Sequence, residues 1–302
     1  MPKTPVSGQV SLPAYRSLPE SALGFGVKPA RPLYFPVKAE PLRMQAGLFR
    51  FGTDFGNGED DQRFFPRDET SARYLAEKAR VLSRHPERSD VSLHNEAERR
   101  CLVAAQAWLT ETLEREGQTA AARLPLPELG RELVEDFAVL HVDETGADRT
   151  IVVHACFPSG WRPEQILGQS FANTHARVPA FEAVARKAEN LTLAMVSRGP
   201  YVRFVWTISA DAELDHHPEH GRRALWSAQT PRGYLRVERQ TIVPLPSASG
   251  SLFLIRTYLY GFDELPSAER AVLASALEQL PPAVVRYKQL DAALPRALEL
   301  LR

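Results

Sequence analysis

At Glu135 the spacing of apolar residues changes from the three-to-four period of a helix to alternation, and this change limits the folds open to the chain. Before it, Thr70 to Leu82 and Ser92 to Glu116 read as helices, the second carrying Leu102, Val103, Ala105, Trp108 and Leu109 near helical spacing. After it, Phe137, Val139 and His141 alternate with Ala138, Leu140 and Val142, and the turn Asp143-Glu144-Thr145-Gly146 leads into a strand over Thr150 to Phe157. Helix-like sequence between Pro179 and Val196 precedes a strand from Tyr201 to Ile208, and a polar loop runs to about Arg232. Two further strands, Tyr234 to Val243 and Ser251 to Tyr260, come before a helical tail. This order predicts an α+β protein, an antiparallel sheet with flanking helices, preceded by a helical N-terminal region.

Pro2, Pro5, Pro13, Pro19, Pro29, Pro32, Pro36 and Pro41 crowd the start of the chain, remove amide donors and forbid long regular elements. The expected organisation is a Pro-rich arm over 1–40, a helical region over 41–127 closed by Pro125 and Pro127, and a sheet domain with C-terminal helices over 128–302.

Charge and cysteine content narrow the function classes. Thirty-seven basic residues balance thirty-seven acidic ones, so no overall field favours nucleic acid or an anionic membrane. No window approaches the roughly 18 uninterrupted apolar residues of a membrane span, and the N-terminus lacks a signal-like apolar stretch, so a cytoplasmic protein is expected. The only cysteines, Cys101 and Cys156, are too few for an ordinary iron–sulfur cluster. No strand-linked Gly-x-Gly-x-x-Gly fingerprint for a nicotinamide or flavin nucleotide is present.

Four segments, taken in order, are the most specific signal: Val134-Glu135-Asp136-Phe137-Ala138-Val139-Leu140, Cys156-Phe157-Pro158-Ser159-Gly160-Trp161, Asn173-Thr174-His175-Ala176-Arg177-Val178-Pro179, and Leu235-Arg236-Val237-Glu238-Arg239-Gln240-Thr241-Ile242. From about Pro41 to Tyr260 the chain resembles the haem-dependent oxidative N-demethylase family. The resemblance implies a PAS-like fold, a haem b cofactor, and oxidation of a small methylamine by dioxygen with release of formaldehyde. It also implies a separate reductase carrying flavin and an iron–sulfur centre, because this chain holds neither module. A haem-binding or small-ligand-binding PAS-like sensor without turnover is the alternative, and a member that has lost haem is a third reading. Two features depart from the family pattern: Ala176 and Arg177 stand before Val178-Pro179, and the Ser209 to Arg232 loop is rich in histidine and charge.

His175 is the expected axial ligand, since haem iron needs such a donor and the motif supplies one in a restricted turn. His154, in the strand ending at Phe157, is its rival, with Cys156 third. Arg239 interrupts the apolar face of Leu235, Val237, Thr241 and Val243 and is expected to hold a haem propionate. Trp161 offers a planar wall for the cofactor pocket. Glu238 and Tyr258 are the expected catalytic, substrate-side groups, a carboxylate for a protonated amine and a phenol for bound oxygen. Matching the apolar face of Phe253, Ile255, Thr257 and Leu259 to that of Leu235 and Val237 puts Arg256 and Tyr258 on the side of Glu238 and permits a Glu238–Arg256 contact. Asp215-His216-His217-Pro218-Glu219-His220 reads as a solvated loop, with metal binding the lesser alternative.

Overall fold

The computed structural model describes residues 33–39, 47–179, 181 and 188–302. Most of the Pro-rich arm, and residues 180 and 182–187 of the helix-like stretch, lie outside the described residues.

Alternation after Glu135 produces the sheet. Strands β1 (Phe49–Arg50), β2 (Ser89–Val91), β3 (Asp136–Val142), β4 (Asp148–His154), β5 (Tyr201–Ser209), β6 (Tyr234–Leu245) and β7 (Gly250–Gly261) form one antiparallel sheet in the order β1-β5-β6-β7-β3-β4-β2. The two short edge strands come from the N-terminal half and close the sheet on both sides. Asp143 accepts from the amides of Thr145 at 2.8 Å and Ala147 at 3.1 Å, and Gly146 takes φ 86°, so the predicted turn joins β3 to β4. Pro246 to Ala248 form a single 3-10 turn that reverses the chain between β6 and β7.

Helices α1 (Ser71–Arg84), α2 (Glu96–Arg115), α3 (Thr119–Ala122) and α4 (Leu126–Glu132) precede β3. Asn95 caps α2 by accepting from Glu98 N at 2.9 Å, and the acidic Glu96 and Glu98 lie in its positive first turn. Between β4 and β5 lie α5 (Phe171–His175) and α6 (Ala188–Ser197); α7 (Ser267–Glu278), α8 (Pro282–Lys288) and α9 (Leu294–Leu301) end the chain.

The register sorts the side chains. Val237 faces Tyr258, Arg239 faces Arg256 and Thr241 faces Leu254 across β6 and β7, so these residues share one face. On that face Val139, Val243, Leu252 and Leu254 pack against Leu109 and Leu113 of α2. Toward β5, Trp206, Leu235 and Val237 join Leu273 and Leu277 of α7. Glu238 faces Thr257 on the opposite face, so the expected alignment of β6 with β7 is off by one residue and a Glu238–Arg256 contact does not form. Because β7 is apolar on both sides, its pattern alone does not choose between the two parities.

Candidate functional site

Among the described residues the Glu238 face is covered at both ends and half-buried between. At one end α6 lies over the sheet, with Val196 against Leu140 and Val142 and Phe171 packed beside them. At the other, Leu259 packs with Phe157 and Leu214, and Arg236 donates to the carbonyls of Phe157 at 2.7 Å and Leu214 at 3.0 Å. In the middle Arg203, Val205, Glu238, Gln240, Phe253 and Ile255 remain only half-buried although their strands are central. A mixed apolar and charged strip in that position is the surface on which a flat, partly polar ligand would be seated.

His175 stands beside this strip. Ser170 caps α5 by accepting from Asn173 N at 3.1 Å, and the single helical turn sets Phe171 and His175 on one side. Nδ1 of His175 lies 2.8 Å from the carbonyl oxygen of Phe171, so that nitrogen carries the proton and donates. Nε2 keeps its lone pair. Burial pulls the imidazole below its ordinary pKa, the Phe171 bond opposes this, and the Arg203 charge lowers it further. The rings of Phe171 and Phe181 flank it at 4.2 and 5.8 Å.

Arg203, on β5 opposite Gln240, lies near both His175 and Glu238. Its Nε is buried with no hydrogen-bond partner, as in the other core arginines, but its terminal nitrogens also bond no described residue. Glu238 accepts from Gln240 Nε2 at 2.9 Å, and the charge of Lys288 acts on it from α8. Burial lowers the Lys288 ammonium to about 8, with Glu238 opposing, while its Nζ donates to Trp206 O at 2.6 Å. Neither Arg203 nor Lys288 is distinguished by the sequence alone, because one cation in a strand or tail helix usually reaches solvent.

Among the described residues His175 Nε2 and the Arg203 guanidinium have no partner, and with the apolar strip they are a donor set of the kind that would hold haem through an axial nitrogen, a ring surface and a propionate partner. Other expected site residues fall elsewhere. Arg239 and Tyr258 are on the opposite face from Glu238. Arg239 donates to Arg63 O at 3.0 Å and packs over the rings of Tyr34 and Phe51, so it has a structural task away from His175. Tyr258 is buried against Tyr34 with its hydroxyl unpartnered, and burial raises its pKa. Thus Glu238 and Tyr258 are not brought together. Trp161 is half-buried in the turn after Phe157.

The rival ligand is enclosed. His154 is 1% exposed, its Nδ1 lies 2.8 Å from Ser89 Oγ, and its ring stacks on Phe137. The backbone of Gly130 presses so closely on it that an added Cβ would stand 2.5 Å from Nδ1. No porphyrin fits between these groups. Asp136, His154 and Cys156 bring ligand-type atoms within 4.8 Å of one another, but Lys78 Nζ, 3.1 Å from Asp136 Oδ1, already places a buried cation there.

The His216 to His220 segment differs from the expected solvated loop. His216 and His217 are buried, because the loop docks on the turn at Ser159: His216 N donates to Pro158 O and Gly160 N to His216 O, both at 3.1 Å. His216 Nε2 meets Asp211 at 2.9 Å and His217 Nε2 meets Glu164 at 3.2 Å, while His217, His220 and His85 stack in succession.

Residues 80–298, well over half of the chain, match the family described as haem-dependent oxidative N-demethylase, alpha subunit-like. The match begins later than the expected Pro41 and runs past Tyr260 into the last helix.

Proposed function

The chain belongs to the haem-dependent oxidative N-demethylase alpha-subunit-like family, and on that basis we propose that it is a haem b oxygenase that removes a methyl group from a small amine as formaldehyde. His175 is the axial donor in this reading. Its Nδ1–H bond to Phe171 O is the observation that carries it, because the bond sets the tautomer in which Nε2 can bind iron. The neutral form is already favoured by burial, so ligation has little proton to displace near neutrality.

When bound, haem would supply the redox centre at which dioxygen is activated, with electrons from a separate reductase. The protein's own groups do the positioning. Glu238, fixed by Gln240, offers a carboxylate to the amine on the half-buried strip. Phe171 and Phe181 crowd the His175 imidazole and limit water there. The helical crossover between β4 and β5, laid over one face of an antiparallel sheet, supports a PAS-like arrangement. No helix among the described residues is long and apolar enough to cross a membrane.

The test is an absorption spectrum of the protein purified with haem supplementation, oxidised and dithionite-reduced, with and without dimethylamine. A stoichiometric Soret band that shifts with the amine supports the oxygenase reading. A colourless protein, or a band indifferent to amine, contradicts it.

A further inference from the structure

We propose that Arg203 is a carboxylate receptor on the Glu238 face of the sheet; the inference rests on the haem reading of that face. The carboxylate comes either from a haem propionate or from the substrate itself.

The argument begins with the other arginines of the core. Arg88 pairs with Asp215 at 3.2 Å, Arg236 donates to three carbonyls, Arg239 to Arg63 O, and Arg256 to Asp68 at 2.9 Å. Each head group has an acceptor inside the protein. All five guanidinium groups have a buried Nε without a partner; Arg203 differs in that its terminal nitrogens make no hydrogen bond and no ion pair with any described residue. Its backbone is held in a central position, β5 being paired with β6 along its whole length. The guanidinium on this strand is a planar donor fork suited to the two oxygens of a carboxylate.

The surrounding charge has the matching sign. Glu238 is the carboxylate whose charge reaches Arg203, and it is shared with Lys288 and hydrogen-bonded to Gln240. Arg203 and Lys288 are thus two cations beside the one carboxylate of Glu238. A carboxylate bound by Arg203 would neutralise that cation and leave Glu238 to take an amine. The propionate source makes Arg203 a cofactor anchor. The substrate source makes it a specificity residue for N-methylated amino acids.

Two titrations on wild type and Arg203→Met separate the sources. Protohaem and its dimethyl ester are compared through the Soret band, and N-methylglycine and its methyl ester by calorimetry on haem-loaded and haem-free protein. The expected result is that wild type prefers one free carboxylate over its ester by on the order of tenfold or more, and that Arg203→Met removes that preference. Loss of the protohaem preference assigns the propionate, and loss of the N-methylglycine preference assigns the substrate. Arg203→Lys, with thermal denaturation as the folding check, is expected to restore part of the preference. The proposal is overturned if wild type favours neither carboxylate over its ester, or if a folded Arg203→Met keeps the wild-type preferences. Failure of the haem reading has a different signature: neither porphyrin binds either protein, while discrimination by N-methylglycine is judged independently.

Discussion

The Arg256 guanidinium lies 2.9 Å from the carboxylate of Asp68, 188 positions earlier in the chain, and both side chains are buried. This pair fastens the segment before α1 to the sheet face opposite His175. Burial pushes the Asp68 carboxyl up, but Arg256 and the Thr70 bonds outweigh it and hold the group below its usual pKa. The resulting stabilisation is present above the unfolded value of about 3.9 and is lost as pH falls through the lower folded value.

Asp68→Ala should therefore destabilise the protein by about 3 kcal/mol, because it removes the carboxylate paired with the buried Arg256 guanidinium. Urea denaturation at neutral pH measures this. A loss under about 1 kcal/mol would mean that the pair behaves as a surface bridge.

Gly130 lies against the His154 ring, and a methyl group there would overlap the imidazole. Gly130→Ala is expected to cost about 1–3 kcal/mol by overpacking, read as a lower denaturation midpoint. Unchanged stability would show that the ring can move away, and with it that His154 is less confined than its contacts imply.

The stacked His217 supplies a pH dependence. Burial lowers its pKa, the Arg88 charge lowers it further, and Glu164 opposes both. A depressed histidine contributes stability that is complete above the unfolded value of about 6.5 and is lost as pH falls through the folded value. Thermal stability should fall on acidification below about pH 6.5, and His217→Gln should reduce that slope. An identical slope in the variant would remove His217 from the account.

The strands, the main helices and the turn at Asp143 were legible because alternation, capping and turn chemistry agree locally. Facing was not. Phe253 and Ile255 are as apolar as Leu252 and Leu254, and a one-residue slip in β7 moved Tyr258 and Arg256 away from Glu238. His216 and His217 read as surface residues because their burial comes from docking on the Ser159 turn, a tertiary event without local periodicity. Arg203 was hidden for the opposite reason: its significance is the lack of an acceptor, which no sequence pattern reports.

Arg239 should now behave as a structural residue. Arg239→Met is expected to lower the melting temperature while leaving the Soret maximum of the haem-loaded protein in place, since its head group meets Arg63 O on the far face. A displaced Soret maximum at unchanged stability would return Arg239 to the haem site.

The most direct test of the central claim is the Soret spectrum of His175→Gly beside wild type and His154→Ala, with added imidazole. The account predicts that the band is lost in His175→Gly, is restored by imidazole and persists in folded His154→Ala; a wild-type spectrum in His175→Gly without imidazole would contradict it.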